Sequence, residues 1–303
     1  MTGMVGISGL ALVVILTAQV MAQEDIKHPD TEPWSSKVPY SQLNSSNFNP
    51  RSEPNIDLYS TDWRDSMPVF THSGLVERYI FTRSGGDSAN PSPRGAILKG
   101  VSRFSHATLR THTSTTPTTL KGEQEVFYVL SGRGAVSGGG KTYDIFPGIV
   151  VLIPEDLEYS MRNMGYEAVM MYMIVEPVPA GFQPRKDIVI HDEAAAPVAK
   201  TNDHWNNSTK ILIAREEGLA VIDELLAISL PARSMSQPFS YVGGVEAVYC
   251  TVQGEPLYLS GKQIRALPPG SAYMVVPNAV TPHANINLSD AAVKYLYFGL
   301  LTR

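Results

Sequence analysis

Cysteine is nearly missing from this chain: Cys250 stands alone among 303 residues. No intramolecular disulfide is therefore available to it. Cys250 sits in the strand-like run Val248-Tyr-Cys-Thr-Val252 with no histidine beside it, which reads as a buried structural thiol, because a thiol nucleophile needs an activating partner. Charge is also sparse. Lys and Arg number 24 against 29 Asp and Glu, a net charge of -5, and nothing in that balance invites nucleic acid. Neither a Gly-x-Ser-x-Gly turn nor a phosphate-cradling Gly-x-x-x-x-Gly-Lys occurs, so neither of those chemistries has its usual frame. Gly138-Gly-Gly140 ahead of Lys141 reads instead as a hairpin turn, matched by Ser260-Gly-Lys262.

What the chain does have is a globular composition, 43% hydrophobic, and enough length for two modest domains. Val5 to Val20 is apolar and ends in Val20-Met21-Ala22, a small-x-small pattern. That run is shorter than the roughly 20 residues of a membrane span. It reads as a signal peptide over residues 1–22, removed on export, which implies a secreted or periplasmic protein with no membrane attachment after cleavage. Residues 23–68 form a leader without periodicity, irregular or draped over the domain that follows. Asn-x-Ser/Thr triplets at Asn44, Asn206, Asn207 and Asn287 serve only as hints of surface.

From residue 69 onward the pattern is all-β and it repeats. Val126-Phe-Tyr-Val-Leu-Ser-Gly132 corresponds to Val248-Tyr-Cys-Thr-Val-Gln-Gly254, and Pro147-Gly148 to Pro269-Gly270, both at an offset of 122. Ile149–Pro154 matches Ser271–Pro277 with one insertion, and Asn163 matches Asn287. Short strands punctuated by turns, in two copies, predict two tandem jelly-roll barrels. The first spans 69–182 and the second 210–303, joined by a Pro-, Asp- and Asn-rich linker at 183–209.

Glu125, then Gly132, then Pro147-Gly148 and an apolar strand to Pro154 is the spacing by which this chain resembles a bicupin, a two-domain member of the cupin superfamily. That resemblance implies a cupin barrel in each half and a set of ligands for a divalent ion: His-x-His just before the motif glutamate, and a third His on a later strand. Residues i and i+2 of a strand share a face, so both imidazoles of such a pair enter the barrel. This sequence departs from that set in both halves. In the first, only Glu125 matches, with Thr119 and Lys121 near the His-x-His positions and Tyr159 at the third. Glu125 then needs protein partners, and Tyr159, a Thr hydroxyl or Lys121 are the candidates. In the second, His283 fits the third position, but Ala247 replaces the glutamate. Glu246, one residue away, faces the other side of the strand. The stretch Gln237–Gly243, where His-x-His is expected, contains no histidine, and Gln237, Tyr241 and His283 are candidates to line a cavity.

The resulting expectation is an exported bicupin with degenerate metal motifs. It binds a small molecule, a sugar or an aromatic, through Glu125, Tyr159, Thr119, Lys121, Gln237, Tyr241 and His283, or acts as a structural module, with a homodimer as a further possibility. No cofactor is favoured. The alternative is an Fe, Mn, Ni, Cu or Zn enzyme with a rebuilt site of His106, His112 and Glu125, resembling bicupin dioxygenases, decarboxylases or ureidoglycine aminohydrolases. A third reading is a metal-free enzyme like the cupin sugar epimerases, using Tyr159 or the pair Tyr241 and His283 for proton transfer. His204-Trp205 in the linker either caps a barrel mouth or, the preferred reading, places Trp205 as a plug in the seam between barrels.

Overall fold

Two apolar stripes run along almost every long strand of the chain, one on each face, and that is why the two barrels come as a pair. In Glu123–Ser131, Phe127 and Val129 point one way, while Val126 and Tyr128 point the other, and all four are buried. One face fills its own barrel, and the other is covered by the second barrel. The computed structural model describes residues 54–85, 94–199, 204–241 and 244–301, all within a compact unit spanning Asn49–Arg303. The expected signal peptide, most of the leader and the Asn44 triplet lie outside the described residues.

The first barrel closes an eight-stranded sheet over a four-stranded one. The large sheet runs Val189–Asp192, Ile149–Ile153, Glu123–Ser131, Val169–Pro177, Arg103–Leu109, Leu75–Arg83 and Val69–Thr71 in spatial order, with Ala96–Leu98 paired to Leu75–Arg83. The second barrel sets six strands over four, centred on Val245–Gln253 and Val293–Leu301. The repeat read from the sequence lands on equivalent strands. Glycines of both Pro-Gly pairs take positive φ, 90° at Gly148 and 98° at Gly270, a conformation that favours a residue without Cβ. Asn163 and Asn287 are both buried, and each amide donates to carbonyls that close the end of its barrel. Asn287 is therefore a structural residue, not an accessible side chain.

Barrel one has a largely aliphatic interior built from residues such as Leu109, Val129, Val151 and Met171, with Phe127 among them. That of barrel two is rich in tyrosine: Tyr249, Tyr258, Tyr273, Tyr295 and Tyr297. A third cluster lies between the large sheets and joins Phe104, Tyr128 and Tyr172 of one barrel to Leu225, Cys250 and Phe298 of the other. Phe104 and Phe298 meet edge to face at 5.3 Å. Cys250 is buried in this seam, and desolvation pushes its thiol far up from the ordinary value, as suits a packing residue.

Each barrel also takes a strand from the chain preceding the other. Ser60–Asp62, inside the leader, pairs antiparallel with Ser271–Met274 of the second barrel, and Ile56 enters that barrel's core. Val189–Asp192, inside the linker, pairs with Ile149–Ile153 of the first. The leader is thus irregular only in part. Strands of three or four residues are too short to show an alternating pattern, so their sequence gives no warning.

Two buried glutamates tie the seam. Glu176 accepts from the backbone N–H groups of Ala220, Val221 and Ile222 at 2.9, 2.8 and 3.0 Å, and from the Gln124 amide at 2.6 Å. Glu246 does the same for the opposite barrel, accepting from Lys99 and Gly100 at 2.6 and 3.3 Å. Burial raises both pKa values even though the N–H groups pull the other way. Truncating Glu176 to Ala leaves three buried donors stranded at about 1–3 kcal/mol each, so denaturant unfolding should show a loss of at least ~3 kcal/mol. Glu246→Ala, with fewer strong contacts, should cost less. Equal and negligible losses would remove the carboxylates from the account of the seam.

Candidate functional sites in the two barrels

In the first barrel the motif carboxylate is buried and already engaged. Glu125 points inward from its strand, and its Oε1 lies 3.0 Å from His72 Nε2. Tyr159 donates its hydroxyl to the other oxygen. Arg103 reaches within 3.9 Å of Glu125 and donates from Nε to Glu77 at 2.8 Å, while Ser105 donates to the same Glu77 oxygen at 2.7 Å. Strand parity explains the gathering. Arg103 and Ser105 share the inner face of Arg103–Leu109, and Glu77 faces them from Leu75–Arg83. Two polar atoms here are buried without a hydrogen-bond partner, Glu77 Oε2 and Thr71 Oγ1. Glu125 and Glu77 are sealed from solvent, whereas the side chains of His72 and Arg103 are 10% and 23% exposed, so the cluster lies just beneath a barrel mouth.

Burial alone would lower the His72 pKa, but the hydrogen bond that it donates to Glu125 and the charges of Glu125 and Glu77 outweigh it and hold the value up. Tyr159 is driven well up by burial and by the adjacent Glu125 charge, which keeps the phenol protonated as a donor. His72 reaches this place from a hairpin turn in which it and Ser73 both have positive φ, 48° and 59°. Such a turn normally uses Asn-Gly. The sequence reading missed His72, Arg103 and Glu77. The one available signal was Thr71-His-Ser-Gly74 between two apolar runs, a turn whose side chain direction only the closed barrel reveals.

Other expected residues fall elsewhere. Thr119 is exposed, because its neighbour Thr118 makes the backbone pairing to Tyr159. Lys121 is exposed on the surface and pairs with Asp156, not Glu125. His106 faces the seam, on the side of its strand away from Glu125, where it stacks on Trp63 at 4.3 Å. Desolvation, helped by Arg64 and Arg78, lowers its pKa to about 4. His112 is exposed and packs against Tyr166. The set His106, His112 and Glu125 thus does not converge, so these residues do not fit the divalent ion that a cupin barrel implies. Among the described residues no three His, Cys, Asp or Glu side chains form such a group.

In the second barrel His283 is 1% exposed, and neither ring nitrogen has a partner in hydrogen-bonding geometry. Burial and then the nearby His204 depress its pKa to about 3. Tyr241 stacks on it at 5.3 Å, and His204 crosses it at 5.2 Å. Tyr241 is linked by its hydroxyl to Tyr249 at 3.2 Å. Gln237 contributes its carbonyl, which accepts from His204 Nδ1 at 2.8 Å. Trp205 is 59% exposed and does not plug the seam. Its neighbour His204 turns inward instead, with Nδ1 donating to the Gln237 carbonyl.

A model of the cupin domain matches residues 105–175. Among curated proteins no relative matches the chain. Solved structures with the same fold include a putative glyoxylate-induced protein from Pseudomonas aeruginosa, at 14% identity and a TM-score of 0.60 over 76% of this chain and 81% of that one. Hazelnut (Corylus avellana) vicilin matches at 14% and 0.60 over 80% and 85%. A Solanum melongena vicilin, with different anionic ligands in structurally similar pockets, matches at 13% and 0.58 over 82% and 86%. At these identities the likeness is one of fold. With the cupin-domain match over residues 105–175, the doubled barrel is a bicupin-like fold whose first half carries a cupin domain.

Proposed function

We propose that this is an exported bicupin whose first barrel binds a small neutral polar molecule, of the sugar type, without an ion at the family's usual positions. One observation carries the reading: both oxygens of Glu125 are occupied by protein donors, His72 and Tyr159. A carboxylate so engaged is poorly placed to ligate a cation, yet it holds a polar mouth in a fixed shape. That mouth offers donors on the partly exposed Arg103 and His72, directly above the buried, unpartnered acceptors Glu77 Oε2 and Thr71 Oγ1. Alternating donors and acceptors suit hydroxyl groups. Glu77, Glu123 and Glu125 outnumber Arg103 and His72 around the mouth, which weighs against the anionic ligands of the Solanum melongena vicilin. The apolar run before Ala22 supports export.

A second reading is favoured by a specific contact. Tyr159, Glu125 and His72 form a continuous hydrogen-bonded chain from the barrel interior to its mouth, the layout of a metal-free acid–base site. It shares the same residues and differs in having turnover.

Titration calorimetry with a panel of mono- and disaccharides tests the binding. A saccharide that binds should lose at least ~1.4 kcal/mol, about tenfold in Kd, on Glu77→Gln, which alters the orphaned acceptor. If no saccharide binds the intact protein, or Glu77→Gln leaves binding unchanged, the proposal is wrong.

His72 gives a pH test. Its folded pKa lies above the ordinary value of 6.5, so its contact with Glu125 stabilises fully below the unfolded value and is lost as pH rises through the folded one. The stability gap between the native protein and His72→Gln should therefore be about 1–3 kcal/mol near pH 6 and shrink at alkaline pH. A gap that widens with pH would contradict the ion pair.

A further inference from the structure

The apolar outer face of the first barrel's large sheet runs further than the second barrel covers. Cross-strand pairing lines up Arg78, His106, Tyr172 and Tyr128 in one row on that face. This row lies in the seam: Trp63 stacks on His106, and Tyr172 donates to the Thr251 carbonyl of the second barrel at 3.2 Å. Two residues further along the strands, on the same face, the next row holds Val76, Thr108 and Met170, with Phe70 paired beyond Val76. Both ends of this row are open to solvent, Phe70 at 66% exposure and Met170 at 38%. Arg110 lies over the Phe70 ring at 5.7 Å, and His112 meets Tyr166 edge-on at 5.6 Å. Residues 110–112 thereby join the row to the loop Met164-Gly-Tyr166, where Met164 is 66% and Tyr166 92% exposed.

We propose that this strip is the contact face of a homodimer, so that a second copy of the chain covers what the second barrel leaves bare. Three observations select that occupant. The strip continues the apolar face of the seam, a surface that already packs protein against protein. Its area is large: Phe70 and Tyr166 expose roughly 300 Å² between them, and Met67, Met164 and Met170 add a comparable amount. That total reaches the upper end of the about 300–600 Å² usual for a monomer's largest apolar patch, and it approaches the about 800 Å² per partner of a stable interface. Finally, Arg110 and Glu167, both exposed, give the strip one charge of each sign. Across a twofold axis such a pair is self-complementary, because Arg110 meets Glu167 of the partner subunit and the reverse contact follows by symmetry. Phenylalanine, tyrosine, methionine and arginine without lysine is the composition of an interface centre, whereas an anionic membrane calls for a cluster of like cations. The face is separate from the polar mouth of the first barrel and does not depend on the function proposed there.

Sedimentation equilibrium of untagged full-length protein provides the test. The native chain should sediment as a dimer, and Phe70→Ser combined with Met170→Ser should raise the dimer dissociation constant at least tenfold, as should Tyr166→Ser. Arg110→Glu should also weaken the dimer, and adding Glu167→Arg to it should restore native association, a rescue that damage within one chain would not give. A native protein that stays monomeric up to its solubility limit overturns the proposal. So does a dimer that survives the serine variants, or one that Trp205→Ser, at the exposed aromatic of the second barrel, dissociates instead. A monomer that binds vesicles of anionic lipid through the strip overturns it as well. If circular dichroism shows a serine variant unfolded, the charge exchange decides, because both of its positions lie on the surface, and failure of the exchanged pair to re-form the dimer rejects the face.

Discussion

Contact between the two large sheets is the constraint on which the rest of this protein rests. Strands with one apolar face need only their own barrel, but here the outer faces are apolar as well, from Phe104 and Tyr172 to Leu296 and Phe298. Exposed, a surface of that kind would drive association. Covered, it fixes the barrels against one another, and the buried carboxylates of Glu176 and Glu246 then have backbone donors within reach. The two glutamates sit on paired positions of different strands: Glu176 lies opposite Gln124, and Glu246 opposite Leu300. The same task, holding a loop of the other barrel, is carried out from either partner of the cross-strand pair.

That seam also explains what could be read from the sequence. The offset of 122 residues at the turn glycines, and 124 at the end-capping asparagines, located both barrels because backbone geometry demands those residues and duplicates with the fold. The orientation of Glu246 away from its barrel followed from strand parity alone, and the structure supplies its purpose. Site residues were less legible. Thr119 and Lys121 were placed by counting back from Glu125, but the loop carrying them runs along the outside, so counting along the chain loses its meaning there. His72 lies 53 residues before Glu125 and meets it only when the sheet closes. His204 was noticed only through its more conspicuous neighbour Trp205, which was expected in the seam and is exposed, while His204 packs against His283 and Tyr241.

The barrels have diverged in the chemistry of their interiors. The first keeps a motif carboxylate and surrounds it with charged donors at its mouth, over an aliphatic core. The second has lost that carboxylate and filled the equivalent volume with phenols and two imidazoles. Tyr249 occupies the position of Phe127, and His283 that of Tyr159, so a few differences on one framework separate the barrel that carries charge from the barrel that carries aromatic donors.

The exchange of edge strands has a consequence for how the molecule is made. Ser60–Asp62 leaves the ribosome far ahead of Ser271–Met274, the strand that it joins, whereas Val189–Asp192 follows its partner Ile149–Ile153 by only some tens of residues. Vectorial synthesis therefore lets the N-terminal barrel finish its edge early and leaves the leader strand waiting for the last part of the chain. A chain from which Ser271–Met274 is removed has a leader strand with nothing to pair with.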